Sequence, residues 1–291
     1  MLPLYSSLRG LFCGSGLGAM GDPWVTEQLI SLLPAERRSS PSVLYLGTAT
    51  YDAEEPYLAQ TACLRAAGCR VASLPLVASR PSREESDAAI ASADIIIVSG
   101  GNSLYMLDLW RMTGVDAALQ AAVARGVVFG GGSAGIGWLF DGVHSDSADA
   151  TTFRHPLPAS SDWSYVRVPA LGILPGLVTP HADQTQSNGV LRRTDAEAML
   201  RRHAGERLWA VDHWAALQCD GAGGFRVCVL PGRTRPDGGC PGITLTDVGA
   251  DGALLTTPLP AEGRLADVVR VAEVLHEDPA LAELRRVNAC V

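Results

Sequence analysis

One serine in the chain has the neighbours that covalent catalysis needs. Val127-Val128-Phe129-Gly130-Gly131-Gly132-Ser133-Ala134-Gly135-Ile136-Gly137-Trp138 runs from an apolar stretch, through Gly-x-Ser-x-Gly, into small residues that can be helical. A strand that ends, turns sharply and restarts as a helix presents its serine hydroxyl above the sheet edge. Glycines flank the serine because such a turn crowds the backbone. The amide of Ala134 then points to where an oxyanion would develop. A serine hydroxyl is a weak nucleophile until a base removes its proton, so a histidine is required as well. Leu171 to Asp183 supplies one, since a short apolar strand there ends in Pro180-His181. His144, His155, His203 and His213 compete for the role, and His276 falls in the C-terminal helical sequence. A third stretch, Val98-Ser99-Gly100-Gly101-Asn102-Ser103-Leu104, also closes a strand. The amides of Gly101 and Asn102 lie at the helix start that follows, where negative charge is favoured. Asn102 also suits the role of helix cap.

The elements that would position these groups alternate along the chain. Asp22-Pro23 reads as an N-cap with proline in the first turn, opening a helix to Leu33. Strands are expected at Ser42–Leu46, Arg70–Val77, Asp94–Ser99 and Val127–Gly130. Helices are expected at Glu54–Ala67, Ser82–Ala93, Asn102–Arg111 and Val115–Arg125. Strand, helix, strand, helix implies a parallel sheet covered on both faces, with its sites at the carboxyl ends of the strands. Leu8–Cys13 is a candidate first strand, followed by Gly14-Ser15-Gly16-Leu17-Gly18-Ala19. The alanine form of the dinucleotide fingerprint fits formally, but no βαβ unit with a well-placed acid follows, so a turn beneath the sheet edge is the better reading. Asp141–Trp163 reads as a loop or hairpin excursion over the sheet edge. Asp195–Ala204 is helical, and Leu208–Val211, Ala215–Cys219 and Phe225–Leu230 have hairpin character. Thr244–Val248 with Gly252–Thr256 forms another hairpin, and Leu265–Leu275 and Pro279–Arg286 are terminal helices. The expected organisation is a catalytic domain over 1–221, with a hairpin and helix extension over 222–291 packed on it.

Composition narrows the function classes. The chain has 291 residues, 47% of them hydrophobic, enough for a sizeable core. A net charge of −8 argues against a nucleic-acid partner. No apolar run reaches the ~20 residues of a membrane span, and no signal peptide is evident. The seven cysteines are scattered without a Cys-x-x-Cys and read as free thiols in a reducing compartment, so a cytoplasmic location is expected. His144 and His155 lack the tight spacing of a metal pair.

Taken together, these stretches resemble the dipeptidase E family of serine peptidases, the α-aspartyl dipeptidases, which are related to cyanophycinases. The resemblance is carried by Tyr45-Leu46-Gly47-Thr48-Ala49, Ser99-Gly100-Gly101-Asn102-Ser103, Gly132-Ser133-Ala134-Gly135 and Leu171-Gly172-Ile173-Leu174-Pro175, with Pro180-His181 close behind. It covers roughly residues 40 to 220. It implies an α/β, flavodoxin-like fold shared with class I glutamine amidotransferases: a mostly parallel sheet with helices on both faces, here with a C-terminal β-hairpin and helix appendage. The elbow nucleophile of the amidotransferases is cysteine, so serine here points away from glutamine hydrolysis. By resemblance Ser133 is the nucleophile, His181 its base, and Gly101 and Ala134 the oxyanion-hole donors. The family's acid lies about fifteen residues beyond the serine. That offset falls on Ala148, which favours the adjacent Asp149, with Asp146 and Asp212 as alternatives. An N-terminal aspartate would need a cation to read it. Arg154 is preferred, Arg192 and Arg193 are further candidates, and Asn102 lies nearby in the site.

The resemblance implies a small peptide as substrate, no metal or organic cofactor, and no nucleic-acid or membrane partner. An exposed strand edge or helix face could support a homodimer. Two alternatives stand beside the dipeptidase. One is a cyanophycinase-like or other amide hydrolase acting on β-aspartyl substrates. The other is a binding or regulatory module that keeps the elbow without turnover.

Overall fold

The computed structural model describes residues 3–203, 205–272 and 278–289. The first half contains β1 (Arg9–Cys13), α1 (Leu17–Met20), α2 (Pro23–Ser31), β2 (Ser42–Leu46), α3 (Glu54–Ala66), β3 (Arg70–Ser73) and α4 (Arg83–Ser92). It continues through β4 (Ile95–Val98), α5 (Ser103–Thr113), α6 (Val115–Ala124), β5 (Val128–Gly132) and α7 (Ala134–Gly137). Then follow β6 (Phe140–Ser145), β7 (Val166–Pro169), β8 (Leu174–Thr179), α8 (Arg192–Arg202), β9 (Leu208–Val211) and β10 (Ala215–Asp220). The remainder is β11 (Gly224–Val229), β12 (Ile243–Val248), β13 (Leu254–Pro258), β14 (Glu262–Arg264), α9 (Leu265–Val268) and α10 (Leu281–Ala289).

The larger sheet has eight strands in the order β14-β11-β10-β1-β5-β4-β2-β3. The pairs from β1 through β5, β4 and β2 to β3 are parallel, whereas β10, β11 and β14 add antiparallel strands. Burial on both faces explains the unbroken apolar run of β4. Ile95 and Ile97 pack with Val25 and Leu29 of α2 and Leu64 of α3, while Ile96 and Val98 pack with Leu104 and Trp110 of α5 and Leu119 of α6. The helix starts follow the sequence signals. The Asp22 carboxylate accepts the Trp24 amide at 2.9 Å. Ser82 and Glu85 form a reciprocal capping box.

The sequence reading did not anticipate a second sheet. β13-β12-β9-β8-β6-β7 form six strands. The excursion after Phe140 takes the hairpin alternative, because β6 pairs with β7 antiparallel before pairing with β8 in parallel. Val143, Val178 and Trp209 join the core shared with the larger sheet, whereas Leu177, Leu208 and Ala210 pack against Met199 and Leu200 of α8. Strands beyond residue 222 enter both sheets: β11 pairs with β10, and β12 with β9. α8 begins earlier than expected, at Arg192, and β3 ends earlier, at Ser73. The helix expected over Leu265–Leu275 ends at Val268, with Val269 extended and residues 269–272 not helical; Ala204 and residues 273–277 lie outside the described residues. No helix among the described residues is long and apolar enough to cross a membrane. Six cysteines are free thiols, and Cys290 lies outside the described residues.

Candidate active site

Ser133 stands between the end of β5 and the start of α7 with φ 58° and ψ −123°. A side chain rarely adopts this backbone, so the surrounding packing must hold it there. A Cβ built on Gly16 would lie 3.3 Å from the Ser133 Cβ, and one built on Gly100 would lie 3.1 Å from it. The serine therefore sits in a slot between two glycines, one from the β1–α1 turn and one from the β4–α5 turn. The Gly14–Gly18 stretch that formally fits a nucleotide fingerprint thus forms one wall of that slot. The Ser133 amide donates to Cys13 O at 3.3 Å, tying the turn to β1. No side-chain hydrogen bond holds its Oγ among the described residues. Ala134 is the first residue of α7, so its amide lacks an intrahelical acceptor.

The Gly100–Asn102 turn is built to a similar tolerance. Gly101 has φ 128°, and a Cβ there would be driven into the Ala49 carbonyl. The Asn102 amide donates to that same carbonyl at 2.8 Å. The anion-holding donor expected at Asn102 is therefore already engaged, whereas the Gly101 amide has no acceptor among the described residues. Asn102 is fully buried, and its side chain works at both ends. Its Oδ1 accepts the Tyr105 amide at 3.0 Å, and its Nδ2 donates to Thr152 Oγ1 at 3.2 Å. It ties α5 to the turn at 150–152 and does not face open space.

His181 also has a left-handed backbone, at φ 51°, just beyond β8. Its Nδ1 lies 2.7 Å from Nδ1 of His213. His213 sits in the three-residue passage from β9 to β10, between the two sheets. Trp214 beside it packs edge-on to the His213 ring and lies against Gly18 of α1, while the Asp212 carbonyl closes on Gly14 of the β1–α1 turn. The residues on either side of His213 thus border the same turn as Ser133, and no hydrogen bond joins Ser133 to His181 among the described residues. Burial pushes His181 well below the ordinary histidine range, helped by the charge of Arg192 and by His213. His213 is lowered too, mainly by burial, with the nearby Asp183 carboxylate opposing.

None of the expected acids hydrogen-bonds His181. The Asp149 carboxylate accepts the Thr151 amide at 2.9 Å and the Thr151 and Ser187 hydroxyls at 2.8 and 3.1 Å. It caps its own short turn. Asp146 pairs with Arg192 at 2.8 Å, and Asp212 with Arg193 at 2.8 Å. These pairs also occupy two of the candidate substrate cations. Arg154 is exposed and carries no ion pair among the described residues, and its charge acts on Tyr51, Asp52 and Tyr105. Among the rival histidines, His144 is fully buried between Thr179 Oγ1 and Asp195 Oδ1, and burial pushes it down to about 4. His155 is exposed, His203 is buried, and His276 lies outside the described residues.

A doubly wound mixed sheet, with a serine presented at a strand-to-helix turn on its carboxyl edge, defines the flavodoxin-like, class I glutamine amidotransferase-like class. Within it, the chain belongs to peptidase family S51, whose sequence model matches residues 12–226. Peptidase E of Citrobacter koseri is 33% identical over 161 residues, a stretch covering 55% of this chain and 59% of that protein. A Trypanosoma brucei brucei protein named G2/mitotic-specific cyclin-1 is 26% identical over 299 residues, covering 91% of this chain and 88% of that one. The solved structure of a peptidase from an acI-B1 actinobacterium matches at a TM-score of 0.58 with 18% identity, covering 89% of this chain and 98% of that one. At that identity the structural match speaks for the fold alone.

Proposed function

We propose that the protein is a serine peptidase that cleaves short peptides through an acyl-enzyme on Ser133. The observation that carries this reading is the Ser133 turn. It combines a strained backbone, a hydroxyl without an internal hydrogen bond, and glycines cut to fit its Cβ on both sides. His181 takes the Ser133 proton as the oxygen attacks the peptide carbonyl. The amides of Ala134 and Gly101 receive the oxyanion, each donor contributing about 3–4 kcal/mol to the transition state. His181 then gives the proton to the departing amine, and water releases the acyl group. Asp149 serves the site at one remove, through the 150–152 turn that holds Asn102 and so the Gly101 turn.

The substrate is a dipeptide with an N-terminal aspartate. The resemblance to the α-aspartyl dipeptidases favours it, and the chain's place in peptidase family S51 fits a peptide substrate. Arg154 is the cation left to read the aspartate side chain, since Arg192 and Arg193 already have partners. The test is hydrolysis of Asp-Leu, Glu-Leu, Ala-Leu and β-Asp-Leu by the wild type and by Ser133→Ala, with fluorophosphonate labelling alongside. Turnover confined to Asp-Leu and lost in the variant is the expected result. Cleavage unchanged in Ser133→Ala would sink the mechanism, and preference for β-Asp-Leu would move the substrate to the β-aspartyl class.

A further inference from the structure

The group in contact with the proposed base is a second imidazole. In the familiar triad a buried carboxylate accepts the Nδ1–H of the histidine and so leaves Nε2 free to take the serine proton. Here His213 Nδ1 stands 2.7 Å from His181 Nδ1. Asp149, Asp146 and Asp212 are all engaged elsewhere. Two unprotonated nitrogens would repel at that distance, so one of them carries the hydrogen. Only one arrangement lets His181 act. If His181 donates from Nδ1, its Nε2 lone pair is open. If His213 donates, the His181 proton moves to Nε2 and blocks it.

We propose that His213 is a positioning residue whose Nδ1 lone pair accepts the His181 Nδ1–H and so fixes the tautomer in which His181 can deprotonate Ser133. This rests on the Ser133–His181 reading above. The surroundings support it independently. Asp183 Oδ1 accepts the His213 backbone amide at 2.7 Å, fixing the residue in the passage between β9 and β10. Asp183 Oδ2 is buried with no hydrogen-bond partner and adds negative charge beside the pair. During the reaction the Ser133 proton arrives at His181 Nε2 as the Oγ–C bond forms. The resulting imidazolium keeps its Nδ1–H on His213, and the pair holds one positive charge near Asp183. The charges of Arg192 and Arg233 act on His181 and His213 respectively, both opposing that charge. A further proton on His213 would reverse the hydrogen bond and silence the base, which makes the acid limb of activity a property of the pair.

The experiment pairs His213→Gln, whose carbonyl can accept the bond, with His213→Leu, which cannot, and adds His213→Glu, which supplies a carboxylate. The readouts are the pH profile of kcat/KM on Asp-Leu, the rate of fluorophosphonate labelling, and the 15N chemical shifts of His181. The expected result is an Nδ1–H tautomer at His181 in the wild type and in Gln, lost in Leu. Labelling should slow at least about tenfold in Leu and recover substantially in Gln, as suits loss and return of general-base alignment. In Glu the acid limb should move to higher pH, because the carboxylate favours the imidazolium. A Leu variant that labels at the wild-type rate, or a wild-type His181 protonated at Nε2, would overturn the inference. If Leu fails to fold, the wild-type tautomer and the Gln and Glu profiles still decide. Absence of labelling at wild-type Ser133 would overturn the peptidase reading instead, while the 15N shifts still report on the pair.

Discussion

Single side chains in this site are held by unusual surroundings, and several should report on them in solution. His144 is neutral in the fold because burial lowers it to about 4. The unfolded chain binds that proton near pH 6.5 and the folded chain only near pH 4. Between those values the unfolded state therefore holds more protons. The stability carried by neutral His144 is complete above about pH 6.5 and is lost as the pH falls toward 4, by on the order of 3 kcal/mol. His181 is lowered in the same direction and steepens the same acid slope. Urea midpoints measured from pH 7 to pH 4 should fall accordingly, and less so in His144→Gln. Arg154→Met should raise KM for Asp-Leu with little change in kcat or in melting temperature, because Arg154 is exposed and makes no ion pair among the described residues. At this scale the strand-end placement of Ser133 and His181 was legible in the sequence, since each follows a short apolar strand. The His213 contact was not, because several histidines were equal candidates and nothing in spacing brings 181 and 213 together. Asp149 was reached by offset from the serine. Its carboxylate instead follows a local preference, bonding the backbone two residues on, as aspartates in turns do.

The elements matter through how closely they approach. The slot around Ser133 exists because the turns after β1 and β4 both bring glycine to it. A methyl group on Gly100 would crowd the Ser133 Cβ and the Gly132 carbonyl at 3.1 Å. Gly100→Ala should slow fluorophosphonate labelling by about tenfold or more while costing only ~1–3 kcal/mol of stability, typical of a small overpacking. Labelling at the wild-type rate would show that the slot can widen freely. The alternation of strand and helix through residue 132 was readable because each strand is short, apolar and followed by a patterned helix. The six-stranded sheet was not. Strands were expected at β9, β12 and β13, but β6 and β7, which join them into one sheet, carry buried His144 and Arg167 where an apolar pattern would be sought. A buried charge breaks hydrophobic periodicity even where it is well paired in the fold.

At the scale of the whole molecule, the two sheets divide the site between them. Ser133 rides on the larger sheet and His181 on the smaller, so their register depends on how the sheets pack. The smaller sheet is braced by Arg167 of β7 and Glu206 ahead of β9, whose buried side chains meet in a two-point pair at 2.9 and 2.6 Å. Arg167→Met would leave the Glu206 carboxylate buried without its cation, at a cost of about 3–5 kcal/mol. The double variant Arg167→Met with Glu206→Leu should recover much of that loss in a thermal melt, because no lone charge remains inside. The position of β1 has a consequence for synthesis. It hydrogen-bonds β5 on one side and β10 on the other, so during synthesis this strand waits for residues 128–132 and then 215–220. Until Ala215 emerges, β1 offers an unpaired edge, four of whose five residues are buried in the finished fold. A nascent chain at that stage is a natural client for chaperones, and one truncated there is prone to aggregate through that edge.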